Sequence, residues 1–176
     1  MSTMGEAHSS GAHPIFEPLR IGGLPLRNRI LRSAAFEGMC PGGLPSDELV
    51  EHHRAVAAGG AALTTVAYAS VSEDGRTYGH QLSMQRAGAR DGLRRLTDAV
   101  HAEGAAASIQ LGHSGYFADK TVIGGRPMGA SRVPCLYGLS IPRAMTEDDI
   151  ARVTDDFVRA AQLARDSGFD AVEIHA

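Results

Sequence analysis

The chain has no tryptophan, and aromatic residues make up only 5% of its 176 positions. It has two cysteines, Cys40 and Cys135, in no C-x-x-C spacing, so neither a disulfide framework nor a thiolate zinc site is indicated. It also lacks a basic block: 17 Lys and Arg stand against 20 Asp and Glu, interspersed, for a net charge of −3. Nucleic acid and anionic membrane are therefore not expected partners. No run is long and apolar enough to span a bilayer, and no charged-apolar-small leader opens the chain, so a reduced, cytoplasmic protein is expected. Residues 1–13 are rich in Ser, Gly and His and read as a disordered leader, with no metal role for His8 or His13.

What the chain does have is a repeated phrase in which a helix ends at glycine and a short apolar run follows. It occurs at Gly59-Gly60 before Ala62–Tyr68, at Gly104 before Ala106–Leu111, and at Gly168 before Ala171–His175. With Arg29–Ala35 as the first strand, the pattern predicts four parallel strands near 29–35, 62–68, 106–111 and 171–175, with helices between them. The helices are read from Ser46 to Gly59, through Leu93, Leu96 and Val100 to Gly104, and from Thr146 to Gly168. In the last, Thr146 with Asp149 resembles a capping box. Its buried stripe is expected to be Ile150, Val153, Phe157, Ala160 and Ala164, with outer pairs Asp148–Arg152 and Asp155–Arg159. Ahead of the strands, Gly22-Gly23 between two apolar runs predicts a hairpin able to plug a barrel's floor.

Period-2 alternation puts Ser108 and Gln110 on one face of their strand and Ile109 and Leu111 on the other. By the same parity Thr64, Val66 and Tyr68 share a face, and so do Glu173 and His175. Gln110, Tyr68 and His175 thus end up at carboxyl ends of strands, where α/β barrels keep their chemistry. The residues alone leave Gln110 between a satisfied interior amide and a ligand group. The long loop from His113 to Arg143, punctuated by Gly124-Gly125, Pro127, Pro134 and Pro142, is expected to be functional or mobile. His113 reads as a turn cap, while His52, His53, His80 and His101 read as solvated. Glu173 reads as a carboxylate paired low in the barrel, with Arg32 as candidate partner, or as a general base.

Three ordered stretches, Arg27-Asn-Arg-Ile-Leu-Arg-Ser-Ala, Ser108-Ile-Gln-Leu-Gly-His-Ser-Gly and Gly168-Phe-Asp-Ala-Val-Glu-Ile-His-Ala, resemble the Old Yellow Enzyme family of FMN-dependent NADH:flavin oxidoreductases, including its 2,4-dienoyl-CoA reductase branch. The resemblance implies a (β/α)8 TIM barrel, of which residues 14–176 supply the amino-terminal half, about four βα strands behind the N-terminal hairpin. It implies FMN as cofactor, NADH or NADPH as hydride donor, and an activated alkene as substrate, reduced by hydride from flavin N5. Carried over residue by residue, the flavin would lie on Ser33, Ala34 and Ala35 and near Tyr68, and Gln110 would bond its pyrimidine edge. His175 would hold the substrate's oxygen. Phe36 stands where many members have Cys or Thr, Tyr116 where an Arg often follows, and the second histidine and proton-donating tyrosine have no counterpart by residue 176. The expectation is an inactive half whose open edges promote self-association. The alternatives are a truncated or decayed copy, or part of another phosphate-ligand barrel.

Overall fold

The computed structural model describes residues 13–175, so the expected leader lies outside them apart from His13. Strands β1 (Leu19–Ile21) and β2 (Leu24–Leu26) form an antiparallel hairpin in register Leu19 to Leu26. Gly22, at φ +57, makes its turn, a conformation that costs a residue without Cβ little. Leu19, Leu24 and Leu26 pack on Ala62, Leu63 and Ala106, where the second and third sheet strands begin, so the hairpin closes the floor as the sequence suggests. Beside it Arg27 donates to the carbonyls of Glu103, Ala57 and Ala61. One guanidinium thus gathers acceptors at the carboxyl ends of two helices, where a cation is favoured.

The main sheet follows with β3 (Leu31–Arg32), helix α1 (Asp47–Ala58), β4 (Leu63–Ser70), helix α2 (Ala89–Ala102) and β5 (Ala106–Gly112). A small parallel pair, β6 (Met128–Gly129) with β7 (Arg143–Ala144), pins the ends of the long loop. Helix α3 (Glu147–Asp166) and β8 (Ala171–His175) complete the described chain. The sheet runs β3-β4-β5-β8, all parallel and in sequence order, which is the arc of a βα barrel. No helix among the described residues is long and apolar enough to cross a membrane.

Helix α1 starts where Ser46 Oγ accepts from Leu49 N at 3.1 Å, with Asp47 and Glu48 in its first turn. Leu93, Leu96 and Val100 of α2 are fully buried, as their spacing requires. With Leu49, Val66, Ile109, Leu111, Ala160, Ala164 and Phe169 they form the core between helices and sheet. Each fully buried Leu or Ile there contributes about 1.5–3 kcal/mol of transfer free energy.

The structure corrects several expectations. β3 is two residues long, because Ser33–Ala35 leave the ladder. The capping box of α3 is present, but its apolar stripe divides: Ala160 and Ala164 enter the core, Phe157 packs against it and also lines a cleft with Val153, and Ile150 stays 54% exposed. Arg152 and Arg159 of α3 converge on buried Asp156, at 3.1 Å and 2.7 Å, in place of the expected outer pairs. A buried carboxylate draws both cations because an unpaired charge there would be costly.

Candidate functional site

Along β4, Thr64 and Val66 face the helices. Thr64 Oγ1 lies 2.7 Å from His53 Nδ1 on α1, and Val66 sits in the core. Tyr68 departs from their face. Val66 pairs with Ile109 and Ala69 with Leu111, so β4 spends one residue more than β5 over the same span. That bulge turns Tyr68 to the mouth, the kind of re-aiming bulges perform beside sites. Its ring meets His175 edge to face with centroids 5.8 Å apart. Gly112 pairs with His175 and lies beside both rings, where a Cβ would make ordinary contacts of 3.4 Å with His175 Cβ and 3.8 Å with Tyr68 Cδ2.

Two residues lower, Gln110 pairs in register with Glu173, and Gln110 Nε2 donates to Glu173 Oε1 at 2.5 Å. Glu173 therefore takes Gln110, while Arg32 goes to Glu37 at 2.8 Å and to the Thr65 carbonyl at 2.6 Å. The carboxylate reached the partner its register allows, which parity alone does not specify. Val172 and Ile174 remain 39% and 57% exposed because β8 is an edge of the sheet.

Above the strand ends opens a cleft of about 870 Å³ between the loop after β4 and the loop after β5. All four tyrosines, Tyr68, Tyr78, Tyr116 and Tyr137, line it, together with Phe117, Phe157 and His175. Phe36 joins the wall by packing on Tyr68 at 5.5 Å and Tyr78 at 4.6 Å. The few aromatics of the chain are thus gathered mostly at one place. The sequence reading missed Tyr78, Phe117 and Tyr137; aromatics in a Gly/Pro-punctuated loop were the available signal.

Of the residues singled out from sequence, Tyr68 and His175 meet in this cleft, and Gln110 stands beneath them on the same side of the sheet. Ser33, Ala34 and Ala35 follow β3 across β4 from these groups, exposed or half-buried, and do not line the cleft. His113 does cap its turn, Nδ1 accepting from Gly115 N at 3.0 Å. Its Nε2 lies 3.5 Å from Asp74 Oδ1, and burial holds its pKa below the ordinary histidine value despite that carboxylate. His80 is exposed as expected. His101 is exposed too, with Nε2 2.8 Å from Asp170 Oδ2, whereas His53 is fully buried. Tyr78 Oη meets Tyr137 Oη at 3.2 Å, which pushes the Tyr78 pKa up to about 12.

A parallel arc of βα units, floored by a hairpin and carrying polar and aromatic side chains at the strands' carboxyl ends, defines part of an α/β barrel with a cleft at its mouth. Within that class, the profile described as the NADH:flavin oxidoreductase / NADH oxidase family matches residues 14–176, and the chain belongs to that family. It is 47% identical over 161 residues to the 4,4'-dithiodibutanoate disulfide reductase of Rhodococcus erythropolis, covering 92% of this chain and 40% of that protein. Over 168 residues it is 33% identical to the NADPH dehydrogenase of Listeria monocytogenes, covering 92% and 48%. Among solved structures, morphinone reductase in complex with tetrahydroNAD superimposes with a TM-score of 0.84 at 26% identity, over 94% of this chain and 50% of that one. The chain thus spans half or less of the length of these relatives, and the Old Yellow Enzyme resemblance and the partial-barrel fold are borne out.

Proposed function

We propose that this chain forms the amino-terminal part of an FMN-dependent NAD(P)H oxidoreductase that reduces activated alkenes. The observation that carries the reading is the β5–β8 register, which sets Gln110 opposite Glu173 and Gly112 opposite His175. The donor set fits a flavin. Glu173 holds the Nε2 end of the Gln110 amide, so carbonyl Oε1 and the second N–H are left for a ring edge that mixes N–H and C=O groups. Ser33, Ala34 and Ala35 are small enough for a flat ring to approach their backbone, and Tyr68 would border it. FMN held there would supply hydride-transfer chemistry between NADH or NADPH and the alkene.

What this chain's residues do is orient and polarise. His175, steadied by the Tyr68 ring, donates a hydrogen bond to the substrate's carbonyl oxygen, which gains negative charge as hydride arrives. The aromatic wall holds the substrate's apolar body and excludes water. A second reading is favoured by the 47% identity to the Rhodococcus enzyme: the same mouth would accept a disulfide.

The 176-residue chain alone is expected to be colourless and inactive. β3 and β8 present unpaired edges among the described residues, and the phosphate of FMN needs the amide nest that such barrels build after their last strands. A yellow monomer oxidising NADPH with an enone would overturn that expectation. Fusing residues 14–176 to the remaining barrel of the Rhodococcus reductase tests the reading itself. The chimera should be yellow and oxidise NADPH with 2-cyclohexenone, and Gln110→Ala should cost about 1–3 kcal/mol of flavin affinity. A folded but colourless chimera would refute the flavin reading. A disulfide-to-enone rate ratio equal to the parent reductase's would favour the disulfide.

A further inference from the structure

The strand before the Ser33–Ala35 segment stops early, yet its neighbour keeps its hydrogen bonds. β3 pairs with β4 only at Leu31–Leu63 and Arg32–Thr64. Beyond that point β4 presents the Thr65 carbonyl and the Ala67 N–H on the side that β3 has left. Two side chains take them. Arg32 Nη1 donates to Thr65 O at 2.6 Å, and Glu37 Oε2 accepts from Ala67 N at 3.0 Å. The Glu37 backbone N–H also reaches Ala67 O at 3.4 Å. The two side chains are joined to each other by Arg32 Nη2 and Glu37 Oε1 at 2.8 Å, with only 4% of the Glu37 side chain exposed. Fully buried His53, fixed by Thr64 through Nδ1, brings Nε2 to 3.4 Å from the same Oε1.

We infer that Glu37 is a positioning residue: with Arg32 it replaces the missing β3 ladder with a side-chain ladder. The replacement has two consequences. It lets Ser33–Phe36 leave the sheet without stranding polar groups of β4, so the segment is free to lie against a ligand. It also anchors Ala67 inside the bulge, where β4 slips out of register with β5, and so fixes where Tyr68 points. Glu37 acts on His175 only through the Tyr68 ring. A carboxylate suits the task because it binds the amide through one oxygen and Arg32 through the other. The consequence for catalysis rests on the flavin reading, whereas the test below does not.

Glu37→Gln and Glu37→Met are both neutral and close in volume, and both lose the ion pair with Arg32. Only glutamine can still accept from Ala67 N. The chain has four tyrosines, so 3-fluorotyrosine labelling gives four fluorine resonances, assignable by Tyr→Phe substitutions. In the Gln variant the Tyr68 resonance and Ala67 amide exchange should stay as in the parent chain. In the Met variant Tyr68 should shift, Ala67 exchange should accelerate about tenfold, and Tyr116 should stay put. Equal behaviour of the two variants, movement of all four tyrosines together, or failure of either variant to fold would overturn the assignment, since it attributes the difference to one backbone hydrogen bond at the mouth.

Discussion

Two loops leave adjacent strands at the same end of the sheet, and they differ in how much of their apolar surface they bury. The loop after β4 is an extension of the core. Val71, Leu82 and Met84 are buried, and Gln81, fully buried, accepts from Thr77 N at 2.8 Å. Arg76, 5% exposed, donates to the Gly79 carbonyl at 3.0 Å and more weakly to those of Tyr78 and Gln81. Glu73 ties in Ser83 at 2.6 Å and Arg86 at 2.8 Å. The loop after β5 is fastened at its base by β6 and β7, yet its tip shows Leu136, Tyr137 and Leu139 at 85%, 68% and 79% exposure. Both loops spend polar side chains on their own backbone, as Arg126 does with the Ile141 carbonyl at 2.7 Å, but only the second also holds large apolar side chains out at its tip. On the function proposed above, the buried wall would hold its shape while the exposed tip adapts to what enters.

The contrast breaks hardest at the seam between them. A Cβ on Gly75 would lie 2.6 Å from His113 Cδ2 and 2.8 Å from Cγ, and that ring cannot swing away without releasing Gly115 N. Gly75→Ala should therefore destabilise the fold by about 1–3 kcal/mol, the usual cost of overpacking. Leu136→Ala, at the exposed tip, should stay within about 0.5 kcal/mol of the parent. Urea unfolding of the two variants compares the loops directly, and equal losses would mean that the first loop is no more a part of the core than the second.

A smaller effect is expected with pH. His113 has its pKa lowered by burial, which outweighs nearby Asp74, so the folded chain binds a proton there less readily than the unfolded chain. The resulting stability is complete above the unfolded value near 6.5 and is lost as pH falls through the lower folded value. His52 is shifted the same way, first by burial and then by His53, so the parent slope contains both groups. His113→Asn, which keeps an acceptor for Gly115 N, should flatten the loss of stability between pH 7 and 5 while retaining the His52 part. An unchanged slope would separate His113 from the rigid wall.

The same contrast explains what the sequence revealed. Repeating elements were legible: the glycine-terminated helices, three of the four strands, the floor hairpin and the α3 capping box follow from local periodicity and capping. Interactions that depend on tertiary placement were not. Strict alternation put Tyr68 with Thr64 and Val66 because a one-residue bulge leaves no local signature. His53 read as solvated because nothing in its helix announces that Thr64 and Glu37 wait across the sheet. Glu173 was given Arg32 since both face inward, whereas register selects Gln110. The side-chain ladder of Arg32 and Glu37 was invisible for the same reason.

The faintest way to probe the two walls is at the Tyr78–Tyr137 hydrogen bond between their tips. Tyr137→Phe removes the Tyr78–Tyr137 contact and nothing else in the first loop. Both phenols are exposed, Tyr78 at 37% and Tyr137 at 68%, so stability should change by no more than about 0.5 kcal/mol. The titration of Tyr78 should change more visibly. In the parent chain the bond to Tyr137, with a lesser contribution from burial, favours the neutral phenol and raises its pKa to about 12. Stability from that bond is complete below the ordinary value of 10 and fades as pH rises towards 12. In the Phe variant the phenolate band of Tyr78 near 295 nm should appear closer to pH 10. Its appearance at the same pH in both chains would mean that the tips are not joined in solution, and that the two walls meet only lower down, where Thr77 Oγ1 donates to Ser114 Oγ at 2.6 Å.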